Sequence, residues 1–368
     1  MSTYYKILPE DLNCRGFQYK EGLNIDTNKI EAGKCGHGLH FADEKHILGF
    51  YTYGPIIAEV EIPNDAIVYH FDDKSKADKI ILKNLRPLWS VETMEALMQE
   101  GVNFDSYKND MIYESIENGY LDIVRYLVEQ GTNIHADNEY SLRLASNNGY
   151  FDIVKCLVEH GANVHALNDS ALHLASENGH LDVVKYLLDQ GANIHASDDS
   201  ALCWSSQKGH LDIVKYLVEQ GADIHARDDV ALRLASHNGY FNIVKYLVGH
   251  GADIHANDDR ALRWASEKGR LDVVKYLVKQ GANIHADDDY ALRYASYNGH
   301  LNVVDLLIKN DANIHALDDD ALQQASVCGY FEIVKLLITN GANPHARRGY
   351  AIRYAKTPEI KAYLKSVK

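Results

Sequence analysis

The sequence predicts a mainly α-helical protein, in which an α-solenoid of 30-residue helix–turn–helix units follows a small N-terminal α+β domain. One observation is a unit, clearest over residues 169–196, whose variants recur every 30 residues. A second is that two series of glycines keep the same spacing. Internal repeats with a period of 20–50 residues are typical of stacked repeat arrays. The outer glycines are Gly131, Gly161, Gly191, Gly221, Gly251, Gly281 and Gly341, and the inner ones are Gly119, Gly149, Gly179, Gly209, Gly239, Gly269, Gly299 and Gly329.

Each unit is predicted to open with a short helix. Asp169 stands where a short carboxylate can accept hydrogen bonds from the free backbone N–H groups of a first turn, so we expect it to be the N-cap. Leu172 and Ala175 would face the core, and the helix would end near Gly179.

The second helix of the unit is predicted to start at about Leu181. Its apolar stripe is wider than a helix with a single neighbour needs, so each unit would be packed between two others. Gly191 would end the helix in the left-handed conformation. Asp311 replaces this glycine once and would adopt the same conformation at a cost of ~1 kcal/mol. The stripe consists of Val183, Val184, Leu187 and Leu188.

The stretch 171–193 closely resembles the ankyrin repeat, and the resemblance recurs in register over roughly residues 91–368. It implies a surface of loop fingers and first helices that binds proteins. The usual unit has about 33 residues and a Thr-Pro opening, whereas this one has 30 residues with Asp-x-Ala at that place. The resemblance therefore implies shorter fingers, a shallower groove and no Thr–His hydrogen-bond network. Arginine mostly replaces that histidine, at Arg143, Arg233, Arg263, Arg293 and Arg353.

Composition limits the possible partners and compartments. The formal net charge is −15, from 37 basic and 52 acidic residues, which argues against nucleic-acid binding because such proteins need a basic face. We expect no membrane span and no secretory signal, because the sequence shows no apolar run of membrane-spanning length and no basic-then-apolar pattern at its N-terminus. An odd number of scattered cysteines favours a reducing compartment. We expect a monomeric cytoplasmic protein. The cysteines are Cys14, Cys35, Cys156, Cys203 and Cys328.

The chain favours Asn, Lys, Tyr and Ile, contains 24 tyrosines and only 6 prolines, and repeats the tripeptide Ile-His-Ala. In this it resembles the ankyrin-repeat proteins of giant viruses of the Mimivirus type. That resemblance implies a place in the cytoplasm of an infected host cell or in the virion.

The predicted domains are residues 1–86 as the head, 87–104 as a half-repeat cap, 105–344 as eight repeats and 345–368 as a C-terminal cap. Thr357 and Pro358 are predicted as the N-cap and first residue of the last helix. In the head we expect short strands at 16–19 and 22–24, a helix at about 44–51, and strands at 56–63, 66–70 and 78–82. The head resembles an uncharacterised N-terminal domain of giant-virus ankyrin proteins and phage-like proteins, which implies no activity.

A fainter resemblance links residues 38–43 and 58–62 to poly-ADP-ribosyltransferases, with His40 at the place of their NAD-stacking tyrosine. The upstream His-Gly-Ser/Thr motif and a secure catalytic glutamate are missing, so a non-catalytic head is favoured. Cys35, His37 and His40, with Cys14 or His46, could hold a metal, but their spacing fits no zinc signature and a glycine-rich turn is favoured. We therefore predict no catalytic, cofactor or metal site.

One histidine occupies the same place in every unit. Stacked helices lie ~8–10 Å apart, too far for neighbouring copies to share an ion bound at ~2 Å. We favour a structural role, in which the imidazole hydrogen-bonds to backbone near the following Asp-Asp. The alternative is a pH-responsive ladder. The histidines are His135, His165, His195, His225, His255, His285, His315 and His345.

The residue after the capping Asp varies most between units, as expected where a specific partner is recognised. The arginine column beside it could instead form surface ion pairs worth ~0–1 kcal/mol each, and Trp204 and Trp264 are interpreted as core residues. We predict a non-catalytic adaptor whose concave face binds a host or viral protein with a basic or mixed surface. The alternative is an effector with an ADP-ribosyltransferase-like or NAD-binding head. The predicted partner-binding residues are Tyr140, Arg143, Arg233, Arg260, Arg263, Tyr290 and Arg293.

Overall fold

The computed structural model describes residues 3–32 and 37–367. The chain divides into two compact units, residues 1–163 and 164–368. The first unit holds the N-terminal sheet and the first five α-helices, and the second holds the remaining helices.

The N-terminal region is built on antiparallel strands. The strands are β1 Tyr4–Leu8, β2 Asn13–Cys14, β3 Phe17–Gln18, β4 Gly22–Ile25, β5 Leu39–Asp43, β6 Ile56–Glu61, β7 Val68–His70, β8 Ser75–Ala77 and β9 Lys79–Pro87. Seven of them form one sheet in the order β4–β9–β6–β1–β5–β8–β7, and β2 pairs with β3. The core of this region is formed by Leu8, Tyr19, Leu39, Phe41, Ala58, Val60, Ala77, Ile80 and Leu82.

The sequence prediction holds where the strands alternate. The strand predicted at 56–63 is observed as β6, which buries Ala58 and Val60 and turns Glu61 to solvent. The helix predicted at 44–51 is a 3-10 helix, Ile47–Tyr53. β1 and β5 were not predicted because both of their faces are largely buried, which removes the alternation that marks a half-exposed strand.

The helices of the first unit are α1 Val91–Gln99, α2 Lys108–Glu117, α3 Leu121–Glu129, α4 Ala136–Asn148 and α5 Phe151–Glu159. Those of the second unit are α6 Ala166–Asn178, α7 Leu181–Asp189, α8 Ala196–Lys208, α9 Leu211–Glu219, α10 Ala226–Asn238, α11 Phe241–Gly249, α12 Ala256–Glu267, α13 Leu271–Lys279, α14 Ala286–Asn298, α15 Leu301–Lys309, α16 Ala316–Cys328, α17 Phe331–Thr339, α18 Ala346–Arg353 and α19 Pro358–Ser366.

The second helices of the repeats carry the packing between neighbours. In α7, Val183, Val184 and Leu187 are almost fully buried, because this helix contacts both its own first helix α6 and the next second helix α9. Gly191 ends the helix segment with φ +92° and Asp311 takes the same role with φ +68°. Both predictions are confirmed.

The loop that stands in place of the ankyrin finger is a single left-handed turn. In the copy that opens α6, Leu167, Asn168 and Asp169 have φ of 51°, 55° and 55°. The same three-residue turn opens α4, α8, α10, α12, α14, α16 and α18. A left-handed turn of L-residues costs roughly 1–2 kcal/mol per residue, so other contacts must hold it in place.

The third residue of the turn makes those contacts. Asp169 Oδ1 accepts a hydrogen bond of 2.8 Å from the backbone N of Asn193 in the next repeat, and His165 Nδ1 lies 3.1 Å from it. The prediction that Asp169 caps its own helix is therefore wrong: its carboxylate joins one repeat to the next. The same bond, at 2.7–2.8 Å, is made by Asp199, Asp229, Asp259, Asp289 and Asp319.

The last helix, α19, follows the prediction. Thr357 is its N-cap and accepts a hydrogen bond of 3.2 Å from Ile360 N, and Pro358 is its first residue. Within residues 3–32 and 37–367, no helix combines the length and the apolar character needed to cross a bilayer.

Candidate protein-binding face

Four of the predicted contact arginines hold the left-handed turn of their own repeat. Arg263 donates from Nε to Asp258 O at 2.8 Å and from Nη2 to Asn257 O at 3.1 Å. These bonds satisfy two carbonyls that the left-handed turn leaves without a helical partner. The arginine column is thus held by the backbone of the turns, and Arg263 and Arg293 also form the ion pairs that the alternative interpretation predicted. The same pair of bonds is made by Arg143, Arg233 and Arg293.

Glutamine performs part of this role in one repeat. Gln323 stands at the arginine position and donates from Nε2 to Asp318 O at 2.6 Å. Its amide bonds to one of the two carbonyls that the guanidinium fork reaches in the other repeats.

In the first unit, two predicted contact residues lie together near the start of the array. The Arg143 guanidinium lies 5.4 Å from the centre of the Tyr140 ring. Tyr140 packs edge-to-face against Tyr113 at 4.8 Å, and Tyr113 Oη donates to Asp137 at 3.0 Å. Burial, together with Asp137, raises the pKa of Tyr113 to about 12.

In the second unit, arginines and aromatic rings form a larger group, which we call the arginine–aromatic cluster. It consists of Arg233, Arg260, Arg263, Trp264, Tyr290, Arg293 and Tyr294. At its centre, the guanidiniums of Arg260 and Arg233 lie 4.9 and 5.9 Å from the Trp264 ring, and the His237 ring lies 5.5 Å from it. The two arginine distances are within the range of cation–π contacts.

The tyrosines of the cluster are stacked and anchored. The rings of Tyr290 and Tyr294 lie 3.9 Å apart at an angle of 11°. Arg263 and Arg293 lie 5.3 and 5.9 Å from the Tyr290 ring. Tyr290 Oη donates to Glu267 Oε2 at 2.8 Å. Burial and that bond raise the pKa of Tyr290, while burial would raise the pKa of Glu267 but the bonds from Tyr290 and Lys268 lower it.

The arginines of the cluster differ in their charge partners. Arg263 pairs with Asp287, and Arg293 lies 3.6 Å from Asp320. Arg260 forms no ion pair or hydrogen bond within the described part of the chain, and its contact is the Trp264 ring. Its N–H donors are therefore available to a partner.

The cluster contains residues that the sequence did not identify. Trp264 and Trp204 are half-buried and do not belong to the buried core, so their interpretation as core residues is wrong. Tyr294 and Glu267 were missed. The available signal for Tyr294 was its spacing: it lies four residues after Tyr290, on the same helix face, and in the same place in its repeat as Trp264.

The periodic histidines contact carboxylates. From His165 to His315, each Nδ1 lies 3.0–3.2 Å from the aspartate four residues on, and His135 lies 2.7 Å from Glu139. The partner observed at Nδ1 is thus a carboxylate and not the backbone group that we expected, and the pH-responsive ladder stays a prediction.

In the head, His40 lies on β5 and its carbonyl accepts a hydrogen bond of 2.7 Å from Lys6 Nζ. Cys35, named in the metal-site alternative, lies outside the described residues. Within the described part of the chain, no three His, Cys, Asp or Glu side chains are grouped to hold a metal ion.

Sequence profiles of two known families match the chain. The profile described as "Ankyrin repeats (3 copies)" matches residues 142–228, 229–288 and 285–348. A "Domain of unknown function (DUF7666)" matches residues 2–94.

Similar proteins occur in Acanthamoeba polyphaga mimivirus. The ankyrin repeat protein R868 is 31% identical over 134 residues, which are 34% of this chain and 66% of that protein. The uncharacterised protein R869 is 33% identical over 137 residues, which are 35% of this chain and 99% of that protein. The chain spans about half of a third relative, the ankyrin repeat protein R838, at 28% identity over 34% of this chain.

Among solved structures, the ankyrin repeat domain of human ASB11 superposes with a TM-score of 0.50 and 24% sequence identity. The match covers 54% of this chain and 96% of that domain. This similarity supports an ankyrin-repeat fold for the helical part of the chain.

Proposed function

The chain belongs to the ankyrin-repeat family, and we propose that it binds a host or viral protein through the arginine–aromatic cluster of its first helices. Ankyrin repeats form protein–protein interaction modules. In this proposal the chain acts as an adaptor without chemistry of its own, in the host cytoplasm or the virion. Residues 1–86 serve as a head, 87–104 and 345–368 cap the array, and 105–344 form its eight repeats.

The composition of the cluster carries the proposal. Residues that dominate binding energy at protein interfaces are enriched in tryptophan, tyrosine and arginine. Trp264 is half-buried and keeps part of its ring available, and the guanidiniums of Arg260 and Arg233 lie within cation–π distance of it. A partner that covers this ring would exclude water from the arginine donors beside it, which strengthens their hydrogen bonds.

The cluster is also held in place before any partner arrives. Arg233, Arg263 and Arg293 are bonded to their own turns, and Tyr290 is fixed by Glu267. Binding costs ~0.5–1.5 kcal/mol for each flexible side chain that has to be ordered. Side chains that are already ordered avoid most of that cost.

The charges around the cluster favour a partner with a mixed surface. Arg260 offers unpaired donors to a carboxylate, whereas exposed aspartates on the left-handed turns attract basic groups. The exposed aspartates of these turns include Asp228, Asp258, Asp287, Asp288 and Asp318. Complementary charges of both signs guide association and fix the register of the partner.

The test is an affinity capture from Acanthamoeba polyphaga cells, because the relatives come from a mimivirus of that amoeba. Full-length protein is compared with the double variant Arg260→Ala/Trp264→Ala and with a matched control, Lys245→Ala/Lys275→Ala, on the exposed side of the second helices. Two such interface residues together account for about 30-fold or more in affinity. We expect a protein that the control retains and the cluster variant loses by that factor.

Equal recovery of every captured protein by the two variants would contradict the proposal. Thermal unfolding of both variants serves as the folding control. Nothing favours the transferase alternative: the profile that matches residues 2–94 has no assigned function, and the described residues of the head show no geometry that supports it.

A further inference from the structure

The N-terminal sheet contains a pocket of about 340 Å³, which is independent of the arginine–aromatic cluster. Its wall is formed by β1, the β2–β3 hairpin, β5 and the 3-10 helix, with Asp26, Asn28, His37 and Gly38 from the segment between β4 and β5 and Lys74 from the loop between β7 and β8. Its volume lies at the lower end of the range of ~300–1,000 Å³ that is usual for small-molecule sites.

A buried lysine lies in the wall of this pocket. The Lys6 residue is only 6% exposed. Its Nζ donates to His40 O at 2.7 Å and lies 4.5 Å from the centre of the Tyr19 ring. Within the described part of the chain, no carboxylate lies within ion-pair distance of Lys6. A buried ammonium without an anion is costly, and two of its three N–H donors remain for a ligand.

Other cationic groups surround the same space. Arg15 and Lys74 line the pocket. His40 is neutral there, because burial lowers its pKa to about 4, assisted by the positive charges of Lys6, Lys74, Lys76 and Arg15. Burial is the main cause of this pKa shift, and the four cationic side chains near His40 add to it.

The acidic residue of the wall, Asp26, is ionised and forms no ion pair with Lys6. Asp26 lines the pocket, but its carboxylate accepts hydrogen bonds from Asn28 N at 3.0 Å, from Asn28 Nδ2 at 2.8 Å and from Gly38 N at 2.8 Å. These hydrogen bonds from Asn28 and Gly38 hold the carboxylate in place, and it lies farther than ion-pair distance from Lys6.

The rest of the wall is aromatic. Phe17 and Tyr19 pack at 4.7 Å, and Phe50 and Tyr53 pack at 5.9 Å, and all four rings line the pocket. Tyr53 is half-exposed and so lies at the mouth. Rings of this kind offer flat apolar surface to a planar group.

We propose that this pocket binds a phosphate monoester carried on a planar ring system, of the size of a nucleoside monophosphate. The phosphate would meet Lys6, Arg15 and Lys74, and the ring would lie against the aromatic wall. Three cationic groups suit a phosphate dianion better than a single carboxylate. Binding would supply the anion that buried Lys6 lacks.

The test uses isothermal titration calorimetry on the full-length protein with AMP, adenosine and inorganic phosphate as probes. We expect saturable binding of AMP, and binding at least about 10-fold weaker for adenosine and for phosphate. Lys6→Met keeps the apolar stem and removes the charge, so we expect about 10–100-fold weaker binding of AMP and unchanged binding of adenosine. The matched control is Lys83→Met, an exposed lysine of β9 that pairs with Glu61 outside the pocket, and it should bind AMP as the wild type does.

A second variant, Lys74→Met, tests the rim of the pocket without altering the core, and it should weaken AMP by about 10-fold. Absence of saturable AMP binding up to about 1 mM would overturn the proposal. So would adenosine binding as tightly as AMP, or Lys6→Met and Lys74→Met both binding AMP like the wild type. None of these results depends on the partner of the arginine–aromatic cluster.

Discussion

The repeats and the N-terminal sheet both bury charged groups, and they treat them in opposite ways. Asp229 is 4% exposed, and its carboxylate is bonded to a backbone N–H of the next repeat and faces His225. Lys6 is 6% exposed, and it has one carbonyl and one aromatic ring as partners. Every repeat from α6 to α16 copies the first arrangement.

The difference between Asp229 and Lys6 is the difference between a buried charge that holds the fold together and a buried charge that can bind a ligand. A buried charge whose hydrogen bonds are made within the protein stabilises one arrangement of the chain, because removing it leaves its partners unsatisfied. A buried charge with unused donors does not stabilise the folded chain in this way, and its free donors can bind an anion. Burial alone does not distinguish the two.

The largest expected effect comes from removing one of the repeated aspartates. Asp229→Ala should lower the free energy of unfolding by about 3 kcal/mol, because it leaves Asp253 N and His225 without their shared partner. Equilibrium unfolding in urea, followed through Trp204 and Trp264, measures the change.

The matched control lies one residue earlier. Asp228 is exposed and adopts the same left-handed conformation with φ 55°, so Asp228→Ala carries the same conformational cost without the lost bonds. Asp229→Asn keeps an acceptor oxygen and should recover part of the loss. Equal effects of Asp228→Ala and Asp229→Ala would show that the turn conformation, and not the bond between repeats, is what matters.

Periodicity made the repeats predictable, but the chemistry of their loops was not. Val183, Val184 and Leu187 follow the helical stripe that the sequence displays, and glycine at position 191 marks the end of the helix. Asp169 was predicted to be a cap because an aspartate just before a helix can either cap that helix or bond to the next repeat, and the sequence is the same in both cases. Only the fold shows that Asn193 lies against it.

The candidate sites were harder to predict for a related reason. The sequence identified Arg260, Arg263 and Tyr290, but it could not show that arginines bond to their own turns. In the head, Lys6 lies in β1 and Arg15 lies nine residues later in the turn between β2 and β3. They line one pocket only because the folded sheet brings them together. Contacts that are distant along the chain leave no local pattern.

The second prediction concerns Lys6 and pH. Burial lowers its pKa to about 8 from an ordinary value of 10.5, so between pH 8 and 10.5 the unfolded chain holds a proton that the folded chain has lost. The free energy of unfolding therefore rises with pH in this window. Between pH 7.5 and 9.5, Lys6 should raise the free energy of unfolding by about 2 kcal/mol. A lysine whose charge is stabilised by an ion pair in the fold would instead lower the free energy of unfolding as the pH rises.

Lys6→Met isolates this contribution. Cys203, whose pKa burial raises to about 11, makes stability fall with rising pH in both proteins and cancels in their difference. We expect the variant to be more stable than the wild type at pH 7.5, with the gap closing by pH 9.5. A constant gap would mean that Lys6 is as well satisfied as the aspartates of the repeats.

The smallest effect concerns the arginines, which combine both behaviours: they bond to the protein and keep donors for a partner. Arg233 is 7% exposed and donates to Asp228 O at 2.9 Å and to Arg227 O at 2.7 Å. Arg233→Met should lower the free energy of unfolding by about 1 kcal/mol, because water can reach the exposed turn and replace part of the lost bonding. Arg233→Gln, which copies the natural Gln323, should lose about half as much, since a single amide restores one bond. Urea unfolding of the two variants at pH 7 checks the order. If glutamine and methionine destabilise equally, the hydrogen bonds to the turn contribute nothing and the arginine column serves the partner alone.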